Sequence, residues 1–230
     1  MSGEMKTEVN GSEQASKNNR VLIMTSVEAE REAVLRGLNH DDRFDVCVAG
    51  VGSVAAAIST TKQLAKASYG LVVNAGIAGG FEGQAEIGSI VVASAILAAD
   101  LGAETPDGFL SVDELGFGSS RISVEAGLAA QVTEAIRAAG HTVSLGPVIT
   151  CTTVTGTAAT AEALSHRVPG AVAEAMEGYG IGTAAASYGL PVLEIRAISN
   201  AVGPRNRAAW RIKEALNALE AASAVFVEVL

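Results

Sequence analysis

The residues best suited to chemistry are carboxylates and small polar side chains that follow apolar runs. Glu30 falls in Val27-Glu-Ala-Glu-Arg-Glu32, on the first turn of an expected helix. A carboxylate there can offset the helix dipole, or it can take a proton from water. Glu28 and Glu32 share one helical face, and Glu30 points elsewhere. Glu174 and Glu177 lie in Ala173-Glu-Ala-Met-Glu177, at an expected strand-to-helix junction. One carboxylate there can cap the helix, or grip a vicinal diol, because it accepts two O–H bonds. Arg196-Ala-Ile-Ser-Asn200 ends the strongest strand signal of the chain. An Asn or Ser after a strand ordinarily serves a turn or an N-cap. Asn74-Ala-Gly-Ile-Ala-Gly-Gly80 holds three glycines in seven residues. Such a segment lets the backbone approach a ligand and present N–H donors. It lacks the Lys-Ser/Thr ending of a phosphate-binding P-loop, which favours a ligand other than phosphate.

Other signals are weaker. Gly50-Val-Gly52-Ser-Val-Ala55 fits GxGxxA between a strand and a helix. A dinucleotide site also needs an acid ~20 residues on, at the end of the next strand. That strand ends in Asn74-Ala-Gly76, and Glu82 and Glu86 come only after two more glycines. A tight turn with close helix packing is the better reading. His40, His141 and His166 have no partner at metal-ligand spacing. Neither a GxSxG elbow nor a Cys/His pair is visible.

The elements that must position these residues alternate. Apolar runs predict strands at 21–24, 44–49, 71–73, 87–99, 143–150, 171–174 and 191–198. Helical spacing predicts helices at 27–38, 53–66, 123–139, after Gly156, at 177–188, and from about 206 to the end. Ser26 is the expected N-cap of the first helix. Residues 100–122, with five glycines or prolines, read as loop. This alternation predicts a single three-layer α/β/α domain over 20–230, with a central mixed, mostly parallel sheet. Ligands of open α/β sheets bind at the C-terminal strand ends, where the residues above lie. The polar segment 1–19 reads as a disordered tail.

Composition sets the outer bounds. Hydrophobic residues make up 49% and charged residues 18%, enough to bury a core. Aromatics are only 4%, whereas glycine and alanine abound, which suits helices packed closely on a sheet. The net charge of −9 argues against a non-specific nucleic-acid binder and against a basic patch on a membrane. No apolar run approaches the ~20 residues of a membrane span, and the first twenty residues lack the apolar core of a signal peptide. Cys47 and Cys151 sit in apolar runs and read as buried thiols of a reducing cytoplasm.

Together, these segments resemble the nucleoside phosphorylase/nucleosidase superfamily over nearly all of residues 20–230. Val27-Glu-Ala-Glu30 resembles the segment whose glutamate activates water in the hydrolytic branch. Asn74–Gly80 resembles that family's Asn-Thr-Gly-x-Ala-Gly-Gly loop. Met176-Glu177 resembles its ribose-holding Met-Glu motif, and Arg196–Asn200 its Arg-Ala-Ile-Ser-Asp motif at the purine. The resemblance implies Glu30 as general base, Glu177 on the ribose hydroxyls, and Ala78 and Gly79 near the sugar. It also implies Thr153, Val154 and Thr155 along the base, and Ser199 orienting Asn200. No cofactor or metal is implied. The implied partners are a small nucleoside and further copies of the chain, one of which, as a neighbour, could close the sugar pocket.

Methylthioadenosine/S-adenosylhomocysteine nucleosidases carry Asp where this chain has Asn200. The Asn, with the following 202–210 segment, resembles instead the branch of the superfamily that releases hypoxanthine from futalosine during menaquinone formation. An Asn amide can donate to N7 and O6 of a 6-oxopurine, but it also suits adenine, so Asn200 alone leaves the base open. It cannot act as an acid. Futalosine carries an aryl carboxylate on its 5′ side. Arg207, and secondarily Arg205, at the expected start of the last helix, could grip it; solvated arginines are an equal reading. A phosphorylase using Arg31 or Arg121, an adenosine-type nucleosidase, and a nucleoside-binding module without turnover remain alternatives.

Overall fold

The structure is a computed structural model and describes residues 20–230; the segment 1–19, expected to be a disordered tail, lies outside the described residues. In chain order the elements are β1 (Val21–Thr25), α1 (Glu28–Leu38), β2 (Phe44–Val48), α2 (Ser53–Leu64), β3 (Leu71–Gly80) and β4 (Ile90–Ala98). Next come β5 (Gly102–Thr105), β6 (Gly108–Ser111), β7 (Arg121–Ser123), α3 (Ala126–Ala138), β8 (Val143–Thr150) and α4 (Ala158–Arg167). The chain ends with β9 (Ala173–Ala175), α5 (Gly178–Ser187), β10 (Val192–Ala201) and α6 (Ile212–Val229).

Five consecutive buried residues make β1 a central strand, covered on both faces. It pairs parallel with β2 on one side and β3 on the other. β3 continues parallel to β10, and β8 is parallel to β4 and β9. The pairings β10–β4, β3–β9 and β4–β7 are antiparallel, so the sheet is mixed and mostly parallel, as the sequence predicts.

Strand alternation sorts the core into layers. Val21, Ile23, Val73 and Ile195 face Val34 and Leu38 of α1, Ile136 of α3 and Phe226 of α6. Leu22, Met24, Val72 and Val91 face Ala56 and Leu64 of α2 and Ile181 of α5. Phe81, Cys151 and Leu164 of α4 form a smaller cluster. Burial pushes the Cys151 thiol up to about 12. Cys47, expected to be buried, is only half-buried, because β2 is the sheet's edge strand.

Three expectations need correction. The strand expected at 71–73 does not end before the glycine-rich 74–80 segment. That segment is the second half of β3, held in the ladder with β10 from Gly76↔Arg196 to Gly80↔Ala201. The 100–122 stretch is not all loop: β5 and β6 make an antiparallel hairpin and β7 joins the sheet edge. Its glycines mark turns between strands too short and exposed to leave an apolar run. The last helix begins at Ile212 rather than about 206, after a single 3-10 turn at Arg207–Ala209.

Small residues let the helices approach closely. A Cβ at Gly180 of α5 would stand 2.1 Å from the backbone oxygen of Ser53 in α2. Gly180→Ala is therefore expected to destabilise the fold by about 1–3 kcal/mol, as overpacking does. A Cβ at Gly156 meets nothing within 4 Å, so Gly156→Ala should be close to neutral in the same denaturant titration. Equal effects of the two would remove the packing argument.

Candidate active site

The C-terminal ends of β1, β3, β9 and β10 surround a cavity of about 350 Å³. Glu30, Gly79, Glu174, Glu177, Asn200 and Trp210 are among the residues lining it. This is the place an open α/β sheet offers a ligand.

Glu30 is the third residue of α1, and it is buried. The N-cap of α1 is Val27, not the expected Ser26. Valine has no acceptor, and Glu30 itself serves the helix start. Its Oε2 accepts the N–H of Ser26 at 2.8 Å and of Val27 at 3.2 Å. Its Oε1 accepts the N–H of Ile77 at 2.8 Å. The carboxylate thus faces the cavity with its position fixed by three backbone donors from two elements. Beside it stands Arg196. A Cβ at Gly76 would lie 2.7 Å from Arg196 Nη1 and 2.8 Å from Glu30 Oε1, which is why β3 needs a glycine there.

Glu177 precedes α5 and is also buried. Its Oε1 accepts the N–H of Gly52 at 3.1 Å. Its Oε2 accepts the N–H of Met176 at 3.3 Å and Arg196 Nη2 at 3.4 Å. The Ser53 hydroxyl donates to the Met176 carbonyl at 3.2 Å. The GxGxxA turn therefore braces the Met-Glu segment. Gly50 and Gly52, at φ +87° and +88°, adopt backbone angles that suit glycine.

Asn200 owes its position to an irregularity. The β10–β3 register shifts between Ile198 and Asn200, a bulge that re-aims side chains at the sheet end. The Ser199 hydroxyl lies 2.8 Å from Asn200 Oδ1 and 3.2 Å from the Ala78 carbonyl. Asn200 Nδ2 donates to the Ala201 carbonyl at 3.0 Å, which leaves its second N–H for a ligand. A Cβ at Gly79 would crowd Val202 at 2.9 Å and Asn200 Nδ2 at 3.2 Å.

Most of the residues singled out from sequence meet here: Glu30, Ala78, Gly79, Val154, Thr155, Met176, Glu177, Ser199 and Asn200. Two do not. Thr153 is exposed and does not line the cavity. Arg207 is exposed on the 3-10 turn, with its guanidinium 6.0 Å from the Trp210 ring. It is Arg205 that lines the cavity, 5.6 Å from the same ring. Backbone bonds from Arg205 to Gly156 and from Arg211 to Ser199 fold this segment back over the opening.

Sequence reasoning gives no role to Arg196 or Trp210, and none to Glu174 beyond its place beside Glu177. A lone arginine inside an apolar strand, two residues after a glutamate on the same face, was the available signal for Arg196. Glu174 is buried and lines the cavity. Its carboxylate accepts the Thr155 N–H at 2.9 Å and also the Thr155 hydroxyl. Desolvation raises its pKa, and the bonds from Thr155 oppose the rise.

The constellation has a base that can take a proton from water, a second carboxylate that can accept hydroxyls, and an amide donor. The sequence model of the phosphorylase superfamily matches residues 17–230. The futalosine hydrolase of Streptomyces coelicolor is 49% identical over 230 aligned positions, spanning 91% of this chain and 96% of that one. That of Acidothermus cellulolyticus is 46% identical, spanning 88% of each chain. The structure of a Helicobacter pylori futalosine hydrolase aligns with a TM-score of 0.79 at 17% identity, covering 91% of this chain and 97% of that one.

Glu174 yields a prediction with a definite sign. Its folded pKa is raised above the ordinary value of 4.5, so the unfolded state loses its proton first. Wild-type stability should therefore fall, relative to Glu174→Gln, as the pH rises from below 4.5 to neutral. Denaturant titrations at several pH values check this, and a difference that is flat or grows the other way would contradict it.

Proposed function

The chain belongs to the phosphorylase superfamily, and we propose on that footing that it hydrolyses the N-glycosidic bond of futalosine, giving hypoxanthine and dehypoxanthinyl futalosine. It is an N-glycosyl hydrolase. The observation that carries the reading is the meeting of Glu30, Glu177 and Asn200 at one cavity, with Glu30 fixed by three backbone donors.

Glu30 takes a proton as water attacks the anomeric carbon of an oxocarbenium-like sugar. Glu177, beside the Met176 backbone, accepts the ribose hydroxyls. The free N–H of Asn200 donates to the purine as charge develops on it, and the leaving base takes its proton from water. Val154 and Thr155 border the base, and Ala78 and Gly79 the sugar. No metal or cofactor takes part in these steps.

A phosphorylase would place arginines on phosphate. Arg31 instead bonds Glu28 at 2.6 Å and the Val46 carbonyl at 3.0 Å, and neither it nor Arg121 lines this cavity. Hydrolysis is the better-supported reaction.

The same proposal places the enzyme in menaquinone formation, in the cytoplasm and as a homo-oligomer. Both cysteines are free thiols, which suits a reducing compartment. Among the described residues no helix is long and apolar enough to cross a membrane. Val51 at the cavity rim, with exposed Val54 and Ile58 on α2, offers an apolar surface that a second copy would cover.

Two outcomes are expected. Glu30→Gln should bind nucleoside yet lose turnover by ~10²–10⁴-fold, the usual worth of a positioned base. Near-normal turnover of the folded variant would remove Glu30 from the mechanism. Arg205, rather than Arg207, should hold the aryl carboxylate of futalosine. Arg205→Ala should lose about 1.5–3 kcal/mol in kcat/KM on futalosine and far less on inosine, which lacks that acid. Equal losses on both would assign Arg205 to the shared nucleoside pocket.

A further inference from the structure

Behind the cavity wall, a buried acid has no place in the mechanism. Glu194 on β10 is fully buried and does not line the cavity. Its Oε1 accepts both Asn74 Nδ2 at 3.0 Å and Arg196 Nε at 2.8 Å. Among the described residues, two buried side-chain atoms have no hydrogen-bond partner: Glu194 Oε2 and Asn74 Oδ1. They belong to one bonded pair. An amide and a protonated carboxylic acid are complementary on both edges, N–H to C=O and O–H to C=O. One proton on Oε2 would give both orphan atoms a partner.

We infer that Glu194 is held as a neutral acid, paired through both edges with Asn74, so that the charge of Arg196 is left to Glu30 and Glu177.

Charge counting points the same way. Among the described residues, Arg196 is the one cation facing three carboxylates: Glu194 on its own strand, Glu177 before α5 and Glu30 on α1. Three ionised acids around one buried arginine leave two negative charges uncompensated, a costly arrangement. The oxygens of Glu30 and Glu177 each accept at least one N–H. Glu194 alone offers a bare oxygen for a proton. Gly178 packs against that oxygen; a Cβ there would stand 2.3 Å from Oε2. Burial also raises the pKa of Glu194, against the pull of Arg196. Glu194 is a positioning residue: it orients Arg196 through Nε without drawing on the charge that Glu30 and Glu177 share.

The test has two arms. Infrared spectroscopy of the wild type at neutral pH should show the C=O stretch of a protonated carboxyl that is absent from Glu194→Gln. Glutamine reproduces the neutral acid, with Nε2–H donating to Asn74 Oδ1. The variant should therefore fold, and the acid limb of its kcat/KM profile should stay in place. Glu194→Leu, which strands Asn74 and Arg196 Nε, should lose about tenfold or more. If Glu194 were ionised, the band would be missing, and the neutral amide would move the acid limb down by roughly one unit or more. Either result, or failure of Glu194→Gln to fold, overturns the inference. Only the kinetic arm rests on the hydrolytic reading; the infrared arm holds whatever the substrate.

Discussion

One buried guanidinium among three carboxylates sets the terms for the rest of the site. Arg196 reaches Glu194 through Nε and Glu177 through Nη2, and its Nη1 stands beside Glu30 above Gly76. Removing the guanidinium from such a buried cluster costs about 3–5 kcal/mol, because buried carboxylates are left without compensation. The neighbouring sequence follows from this constraint. Position 76 must be glycine to leave room, Glu30 must sit at the start of α1, and Glu177 must close β9 onto α5. What lies in the cavity is then two buried carboxylates, Glu30 and Glu177, whose positions are set by hydrogen bonds within the protein.

The sheet brings these parts together. Gly76 faces Arg196 in the β3–β10 ladder, and Gly79 faces Glu174 across β3–β9. The first pairing leaves room for Glu30 beside Arg196, and the second sets Gly79 against the Glu174–Thr155 pair. The bulge after Ile198 turns Asn200 toward the same opening. A parallel sheet gathers distant strand ends at one edge, which is how residues more than a hundred positions apart become neighbours.

That separation also decides what the sequence could tell. Glu30, Glu177 and Asn200 were legible because each follows an apolar run, and such runs predict strands and hence a shared sheet edge. Glu174 and Arg196 were in view within quoted motifs, but their partners were not. Gly52 and Glu177 are 125 residues apart, and Asn74 and Glu194 are 120. No local pattern encodes such pairings. The β5–β6 hairpin was missed because its strands are short and half exposed, so turn glycines dominate the signal. The extended course of 74–80 was missed because glycine is a poor strand former on its own; the ladder with β10 overrides that preference. A helix starting near 206 would put Arg207 at its N-terminus, but a 3-10 turn occupies 207–209 and the helix begins only at Ile212.

In the proposed reaction, water activated at this cavity displaces the purine of futalosine. Turnover of futalosine in phosphate-free, ¹⁸O-labelled water tests it most directly. Hydrolysis gives free hypoxanthine without phosphate and one labelled oxygen on the anomeric carbon of the sugar product. Dependence on phosphate, with a sugar phosphate as product, or binding of futalosine with no base released, would contradict it.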